Sequence, residues 1–141
     1  MRIRTAGTLA AFLSAIGFFD AGYLTALHFL ESSAACSPLA RCDAVLKSAY
    51  AAPVGIPLAL IGALYYLLLF ALALRARREP SPRLIVPIVL VSGAGFFISL
   101  ALIYLQWQVI YAWCMYCLIS AAVTTLIFLV GIYAIWKIRK I

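Results

Sequence analysis

The chain has 141 residues, of which 67% are hydrophobic and only 11% are charged. A soluble domain of this size cannot bury so much apolar surface, so the composition excludes a water-soluble globular protein and predicts an integral membrane protein. A net charge of +7 would suggest a nucleic-acid partner for a soluble chain. Here the positions of the basic residues indicate membrane topology instead, and we expect no nucleic-acid partner.

Four long apolar segments lie at about residues 6–30, 54–74, 84–105 and 110–136. Each can cross a hydrocarbon core of about 30 Å as a helix. The positive-inside rule then predicts that both termini are cytoplasmic. We expect one domain over residues 1–141, an all-α bundle of four transmembrane helices in the plasma membrane. Nine of the eleven basic residues would share the cytoplasmic side: Arg2, Arg4, Arg75, Arg77, Arg78, Arg83, Lys137, Arg139 and Lys140.

Two ionisable side chains, Asp20 and His28, fall in the outer half of the first span. A charge inside a bilayer is costly, which makes both residues candidates for function. The alternatives are that His28 lies at the membrane interface and that Asp20 pairs with another span or contacts water. The segment is longer than a signal-peptide core and Asp20 interrupts it, so we expect a retained span.

The predicted outer loop, residues 31–53, carries Cys36 and Cys42. Arg41 directly precedes Cys42 and would favour its thiolate form. Residues 43–50 alternate with helical spacing, which predicts a short amphipathic helix on the membrane surface.

Spans two and three are joined by a predicted basic loop, residues 75–83, with Pro80 and Pro82 as helix breakers. Pro57 is expected in the first turn of span two, where its missing N–H costs least. Residues 104–108 have the composition of an aromatic interface belt with polar caps. Span three also has a small-residue face that predicts close helix packing: Ser92, Gly93, Gly95 and Ser99.

The last span opens with the sequence WCMYC at residues 113–117, which places Cys114 and Cys117 three positions apart. On a helix these positions share a face and can form a disulfide. A helix N-terminus also favours the reactive thiolate. The pattern predicts redox chemistry at the membrane surface. The alternative is a pair of buried, inert cysteines or a structural bridge.

All four cysteines fall on the predicted non-cytoplasmic side, which is oxidising in bacteria and in the secretory pathway. Exchange through mixed disulfides would pass a bond between the loop pair and the pair in the last span. Such a transfer carries two electrons from soluble thiols to the bilayer, where a quinone is the natural acceptor. Zinc fits the spacing less well, because structural zinc sites usually combine two C-x2-C pairs. A pair of structural disulfides is a further alternative.

With these motifs in this order, the chain resembles the vitamin K epoxide reductase family, in its short prokaryotic form, over nearly its whole length. The bacterial disulfide generator of the DsbB type also has four spans and two cysteine pairs, but it carries the pairs in the opposite order. The residues that match the family are GYLTALH at 22–28, Cys36, the segment 42–50 that begins with Cys42, GIPLALIG at 55–62, and WCMYC at 113–117.

The resemblance implies a role for each cysteine. Cys117 would deliver electrons to the quinone, and Cys114 would form the active-site disulfide with it. Cys42 would pass electrons to Cys114, and Cys36 would pair with Cys42 and exchange with the partner's thiols. The acceptor would be a menaquinone, a ubiquinone or a vitamin K-type quinone. The family fold is a four-helix bundle around this quinone, with the amphipathic segment as a cap and a pocket that includes Ser48, Cys117, Leu58 and Ala121.

Two departures from the family pattern bear on substrate and partner. Members that reduce the epoxide have an Asn near the start of span two and a Tyr one turn after the C-x2-C motif; this chain has no Asn, and Ala121 stands at the Tyr position. We therefore expect quinone reduction that supports disulfide formation. Many bacterial members carry a fused thioredoxin-like domain, whereas this chain ends at Ile141, so we expect a separate thioredoxin-like or Dsb-type oxidase as donor. The alternatives are a vitamin K epoxide reductase of the endoplasmic reticulum and a non-enzymatic membrane scaffold with structural disulfides.

Overall fold

A computed structural model describes residues 2–30, 56–111 and 115–140 of the chain. Within these ranges each of the four longest helices is long and apolar enough to cross a membrane, with mean hydropathies of 1.5 to 2.4. The prediction of an all-α, multi-pass membrane protein is confirmed. The helices are α1 (Ile3–Leu30), α2 (Leu58–Arg78), α3 (Pro82–Leu105) and α4 (Met115–Arg139), and a π-helical turn (Gln106–Ile110) extends α3.

The start of α2 differs from the prediction, because Pro57 precedes the helix instead of lying in its first turn. Pro57 has an extended backbone, with φ −57° and ψ 130°. Its carbonyl accepts hydrogen bonds from the backbone N–H groups of Leu60 at 3.0 Å and Ile61 at 3.3 Å. A proline at this position lacks no helical hydrogen bond, so the ring directs the chain into the helix without weakening it.

The connection between α2 and α3 is shorter than the predicted loop over residues 75–83. Helix α2 continues to Arg78, because arginine favours helices and a positive charge is stabilised at a helix C-terminus. The backbone N–H of Glu79 then donates to the carbonyl of Arg75 at 2.8 Å. Helix α3 begins at Pro82, a position where proline is favoured. Residues 79–81 alone separate the two helices.

Neighbouring helices run antiparallel, as three contacts show. Gly7 of α1 lies against the backbone of Ala73 of α2. The rings of Tyr23 of α1 and Tyr116 of α4 lie 5.3 Å apart. Gly93 of α3 lies against the Phe128 ring of α4. The two ends of the described chain therefore meet at one end of the bundle.

That end of the bundle, which we call the basic end, holds the terminal turns with Arg2, Arg75–Arg78, Arg83 and Lys137–Lys140. The opposite end, which we call the cysteine end, holds Cys117 in the first turn of α4. Residues 31–55, which include the predicted outer loop and its amphipathic helix, lie outside the described residues, as do residues 112–114.

The basic end is closely packed by small and branched side chains. Ala73, Ala76, Ile85 and Ile127 are at most 1% exposed there. The predicted small-residue face of α3 contributes, since Ser92 and Gly93 are buried. The outer surface is lined by large apolar side chains, including Phe19 at 74% exposure, as expected for helices that face lipid.

Candidate functional site

A cavity of about 230 Å³ lies within the bundle at the cysteine end. Side chains from all four helices line it, together with Gln106 from the π-helical turn. Its apolar wall includes Leu24, Leu58, Ile98, Leu102 and Ile103, and its polar groups are Asp20, Tyr65, Tyr66, Ser99, Gln106, Cys117, Ser120 and Thr124. A largely apolar cavity with a few polar groups is the usual form of a small-molecule site.

Helix α4 presents one face to this cavity. Cys117, Ser120, Ala121 and Thr124 all line it. They are spaced at i, i+3, i+4 and i+7, which places them on one side of a helix. Cys117 is the member nearest the cysteine end, and Ser120 lies about 4.5 Å deeper at 1.5 Å per residue. The thiol therefore lies toward one end of a partly open, mostly apolar cavity.

Tyr66 forms the boundary between the cavity and the packed basic end. Its ring is 1% exposed and belongs to the core, yet it also lines the cavity. Its hydroxyl lies 2.7 Å from Ser120 Oγ and 2.7 Å from Thr124 Oγ1, and it donates to the Ser120 carbonyl at 2.8 Å. Gly17 makes room for the ring, since a Cβ at that position would overlap it. These contacts join α1, α2 and α4 at one level.

A second tyrosine, Tyr65, fixes the α2–α3 side of the cavity. Its hydroxyl donates to the carbonyl of Val91 at 3.1 Å. The hydroxyl passes directly over Gly95, where a Cβ would overlap it. The glycine predicted to permit close helix packing here accepts a tyrosine side chain from the neighbouring helix.

Asp20 lies in the wall of the cavity on α1. Its Oδ2 atom is buried and has no hydrogen-bond partner among the described residues. The predicted alternative that Asp20 pairs with another span is not seen in this part of the chain. A buried carboxyl oxygen without a donor is costly, and packing among the described residues does not account for Asp20.

Gln106 corrects a prediction. The sequence suggested that it caps an aromatic belt at the membrane interface, but its side chain is 3% exposed and lines the cavity. The neighbouring Trp107 is exposed and does fit an interface position. The difference comes from the π-helical turn that begins at Gln106. Such turns insert a residue and redirect side chains, and they are frequent at functional sites.

Three predicted pocket residues, Cys117, Leu58 and Ala121, line this one cavity. The other predicted site residues, Cys36, Cys42, Ser48 and Cys114, lie outside the described residues, as does the side chain of His28. The cysteine relay and the disulfide pairing therefore stay predictions. Cys117 is half-buried, so its thiol is within reach of a molecule in the cavity.

Four residues that line the cavity were not predicted as site residues from the sequence: Tyr66, Ser120, Thr124 and Gln106. The sequence does contain a pattern that could have identified two of them. Ser120 and Thr124 follow Cys117 by three and seven positions, a spacing that puts all three residues on the same face of a helix. No comparable signal marks Tyr66, because its contacts come from a different helix.

A four-helix membrane bundle with a cysteine in the wall of an apolar cavity fits a membrane-bound redox enzyme. The comparison with known families agrees with this class. The model described as "Vitamin K epoxide reductase family" matches residues 8–132, which is most of the 141-residue chain. The chain belongs to the vitamin K epoxide reductase family, and the resemblance identified from its motifs is confirmed. No curated protein sequence matches it.

Proposed function

We propose that this protein is a membrane thiol–disulfide oxidoreductase that oxidises a soluble thioredoxin-like or Dsb-type partner and reduces a membrane quinone. Electrons would enter at Cys36 and Cys42, pass to Cys114 and Cys117, and leave on the quinone. The cell would use the reaction to form disulfide bonds. The observation that carries the proposal is the position of Cys117 in the wall of an apolar cavity within the membrane-spanning bundle.

The cavity supports a quinone better than a polar substrate. Leu24, Leu58, Ile98 and Leu102 provide an apolar wall for a flat ring. The polar groups contribute little of the lining surface, and they lie on several helices, as needed to bind two carbonyl oxygens on opposite sides of a ring. When bound, the quinone supplies a two-electron acceptor that is soluble in lipid. The chain contributes the thiol, the orientation and the exclusion of water.

The reaction balances without an outside redox agent. Oxidation of the Cys114–Cys117 dithiol to a disulfide releases two electrons and two protons. Reduction of a quinone to a quinol takes up the same two electrons and two protons. Thiolate attack by Cys42 on the new disulfide, through a mixed disulfide with Cys114, would restore the dithiol and leave the disulfide on the loop pair. The partner's thiols would then reduce that pair.

The topology that this scheme needs is supported by the fold. The chain's described ends and the Arg75–Arg78 turn share the basic end, so the positive-inside rule favours a cytoplasmic position for it. Cys117 then faces the extracytoplasmic side, where disulfides persist. Labelling of cysteines in intact cells tests this arrangement. Opposite accessibility of Cys36 and Cys117 across the membrane would rule out the relay.

Quinone reduction by the purified protein tests the proposal directly. The assay supplies a reduced thioredoxin-like protein as donor and a short-chain ubiquinone or menadione as acceptor, and follows quinone absorbance. We expect turnover in the wild type and none with Cys117→Ser. Ile119→Ala is a control, because this side chain is on the same turn, is exposed and is not in the cavity wall.

Disulfide mapping of Cys117→Ser provides a second readout. Removal of the Cys117 thiol should trap a bridge between Cys42 and Cys114, which mass spectrometry detects as a linked peptide pair. Continued turnover by the Ser variant would show that the cavity thiol is not the electron donor. A parallel assay with vitamin K epoxide as acceptor separates quinone reduction from the epoxide reaction.

A further inference from the structure

The Asp20 carboxyl is the polar group in the cavity whose role is not explained by packing. It provides the one carboxyl among the described residues of the wall. The two tyrosine hydroxyls nearby have other partners, since Tyr66 contacts Ser120 and Thr124 and Tyr65 donates to Val91. Asp20 Oδ2 has no such partner within the described part of the chain. A ligand in the cavity would supply the partner that the described residues do not provide.

The position of Asp20 along the bundle is set by the contacts of α1. Tyr23 of α1 and Tyr116 of α4 are neighbours across the bundle, because their rings are 5.3 Å apart. Asp20 is three residues earlier on α1, which places it about 4.5 Å closer to the basic end. Cys117 follows Tyr116 and lies about 1.5 Å closer to the same end. The carboxyl therefore lies about 3 Å deeper in the cavity than the thiol.

From this geometry we propose that Asp20 is the proton donor in quinone reduction, and that it protonates the quinone oxygen that lies farther from Cys117. The inference rests on the proposed function, because it assigns a step within that reaction. A quinone has two carbonyl oxygens on opposite sides of its ring. When one lies near the thiol, the other lies deeper, on the Asp20 side.

The step conserves atoms and charge. The thiol pair gives two electrons to the ring and releases two protons. The protonated Asp20 carboxyl gives its proton to the deeper oxygen, forming an O–H bond and leaving a carboxylate. One of the two released protons then restores the Asp20 carboxyl, and the other goes to the nearer oxygen. The sum is one dithiol and one quinone converted to one disulfide and one quinol.

A carboxyl suits this role because it both donates a hydrogen bond and transfers a proton, whereas an amide of the same shape only donates. Asp20→Asn separates these two properties. General acid catalysis of this kind contributes about 10²- to 10⁴-fold to a rate. We expect Asp20→Asn to slow quinol formation by that factor and to leave the dissociation constant for the quinone nearly unchanged.

The experiment is a single-turnover reaction in detergent. Wild type, Asp20→Asn and Asp20→Glu are reduced, freed of reductant and mixed with a short-chain ubiquinone in a stopped-flow instrument. Quinone binding is measured separately with each oxidised protein, and thermal unfolding is recorded for each variant. Glu79→Gln is the matched control, because it removes an exposed carboxyl at the basic end. We expect Asp20→Glu to restore part of the rate and Glu79→Gln to match the wild type.

Each other outcome overturns a specific statement. Quinol formation by Asp20→Asn at the wild-type rate overturns the inference and leaves the proposed function standing. A large loss of quinone binding in Asp20→Asn shows that the carboxyl holds the quinone and does not transfer the proton. Loss of cooperative unfolding assigns the carboxyl a structural role. Absence of quinone reduction in the wild type overturns the proposed function together with this inference.

Discussion

The two ends of the bundle differ in how closely their helices pack, although apolar side chains predominate at both. At the basic end, Ala73, Ala76 and Ile127 pack with no exposed surface. At the cysteine end, the same four helices leave a cavity of about 230 Å³ with polar groups in its wall. The helices are closely packed at the basic end and leave a cavity between them at the cysteine end.

The difference shows where the stability of the fold is concentrated. Helices in lipid gain little from burying apolar groups, so close packing between them holds the bundle together. The basic end provides that packing, which allows the cysteine end to keep a cavity and an Asp20 Oδ2 atom that has no partner among the described residues. Changes at the cysteine end should therefore affect quinone chemistry, and changes at the basic end should affect stability. Three substitutions test this division.

The largest effect is expected from filling the cavity. Ala121→Phe would place a ring in the space beside Cys117, since Ala121 lines the cavity. Displacing a substrate by about 1 Å can cost about 100-fold in rate, so we expect at least that loss in kcat/KM for quinone. The melting temperature should change little, because the ring enters an empty volume.

Ala122→Phe is the control for this change, because Ala122 is exposed on the outer side of α4. It should retain wild-type kinetics. If Ala121→Phe lowers the melting temperature and leaves quinone reduction intact, the cavity is a packing defect and the division between the two ends fails.

A smaller effect, on stability alone, is expected at the basic end. In Gly7→Ala the new Cβ would lie 3.0 Å from both the carbonyl oxygen of Ala73 and the backbone nitrogen of Arg77. Backbone atoms of a helix cannot move aside singly, so α1 and α2 must separate, at a cost of about 1–3 kcal/mol. Thermal unfolding in detergent should show the loss, with quinone kinetics per folded molecule unchanged.

Gly22→Ala is the matched substitution on the same helix. A Cβ at Gly22 would have no described atom within 4 Å. Alanine favours a helix over glycine, so the variant should be as stable as the wild type or slightly more stable. Equal destabilisation by both alanines would contradict the assignment of close packing to the Gly7 contact.

The smallest effect is expected at Tyr66, which separates the cavity from the packed basic end. Tyr66→Phe removes a hydroxyl that bonds to Ser120 and Thr124, and a buried hydrogen bond contributes about 1 kcal/mol. We expect a stability loss of that size and a modest rise in KM, because the cavity floor loosens. Tyr104→Phe, at an exposed position, is the control. A complete loss of quinone reduction at unchanged stability would place the hydroxyl in the chemistry instead.

Much of the fold could be predicted from the sequence, since hydropathy and helix length decide how many segments cross a bilayer. The predicted helix ends were less accurate, as at Pro57 and Arg78, where a ring and a run of helix-favouring side chains set the boundary. The side of each helix that faces the bundle interior was harder to predict than the helix ends. Lipid and protein interior are similarly apolar, so the sequence of α2 does not show that Tyr66 points inward.

The candidate site was partly predictable for a different reason. Cys117, Leu58 and Ala121 were selected through the resemblance to a family, and the structure brings them to one cavity. Gln106 was assigned to the interface because it lies between Tyr104 and Trp107. A local π-helical turn changes its direction, and such an insertion depends on packing that the surrounding sequence does not display.

The closed basic end has a consequence for the membrane as a whole. Leu69, Ala73, Ile85 and Ile127 are at most 1% exposed and form a closely packed layer between Tyr66 and the basic end. In the proposed reaction, protons moved within the cavity would have no open path through this layer to the opposite face of the bilayer. They would be taken up and returned on one side only, so turnover would not drain the transmembrane proton gradient.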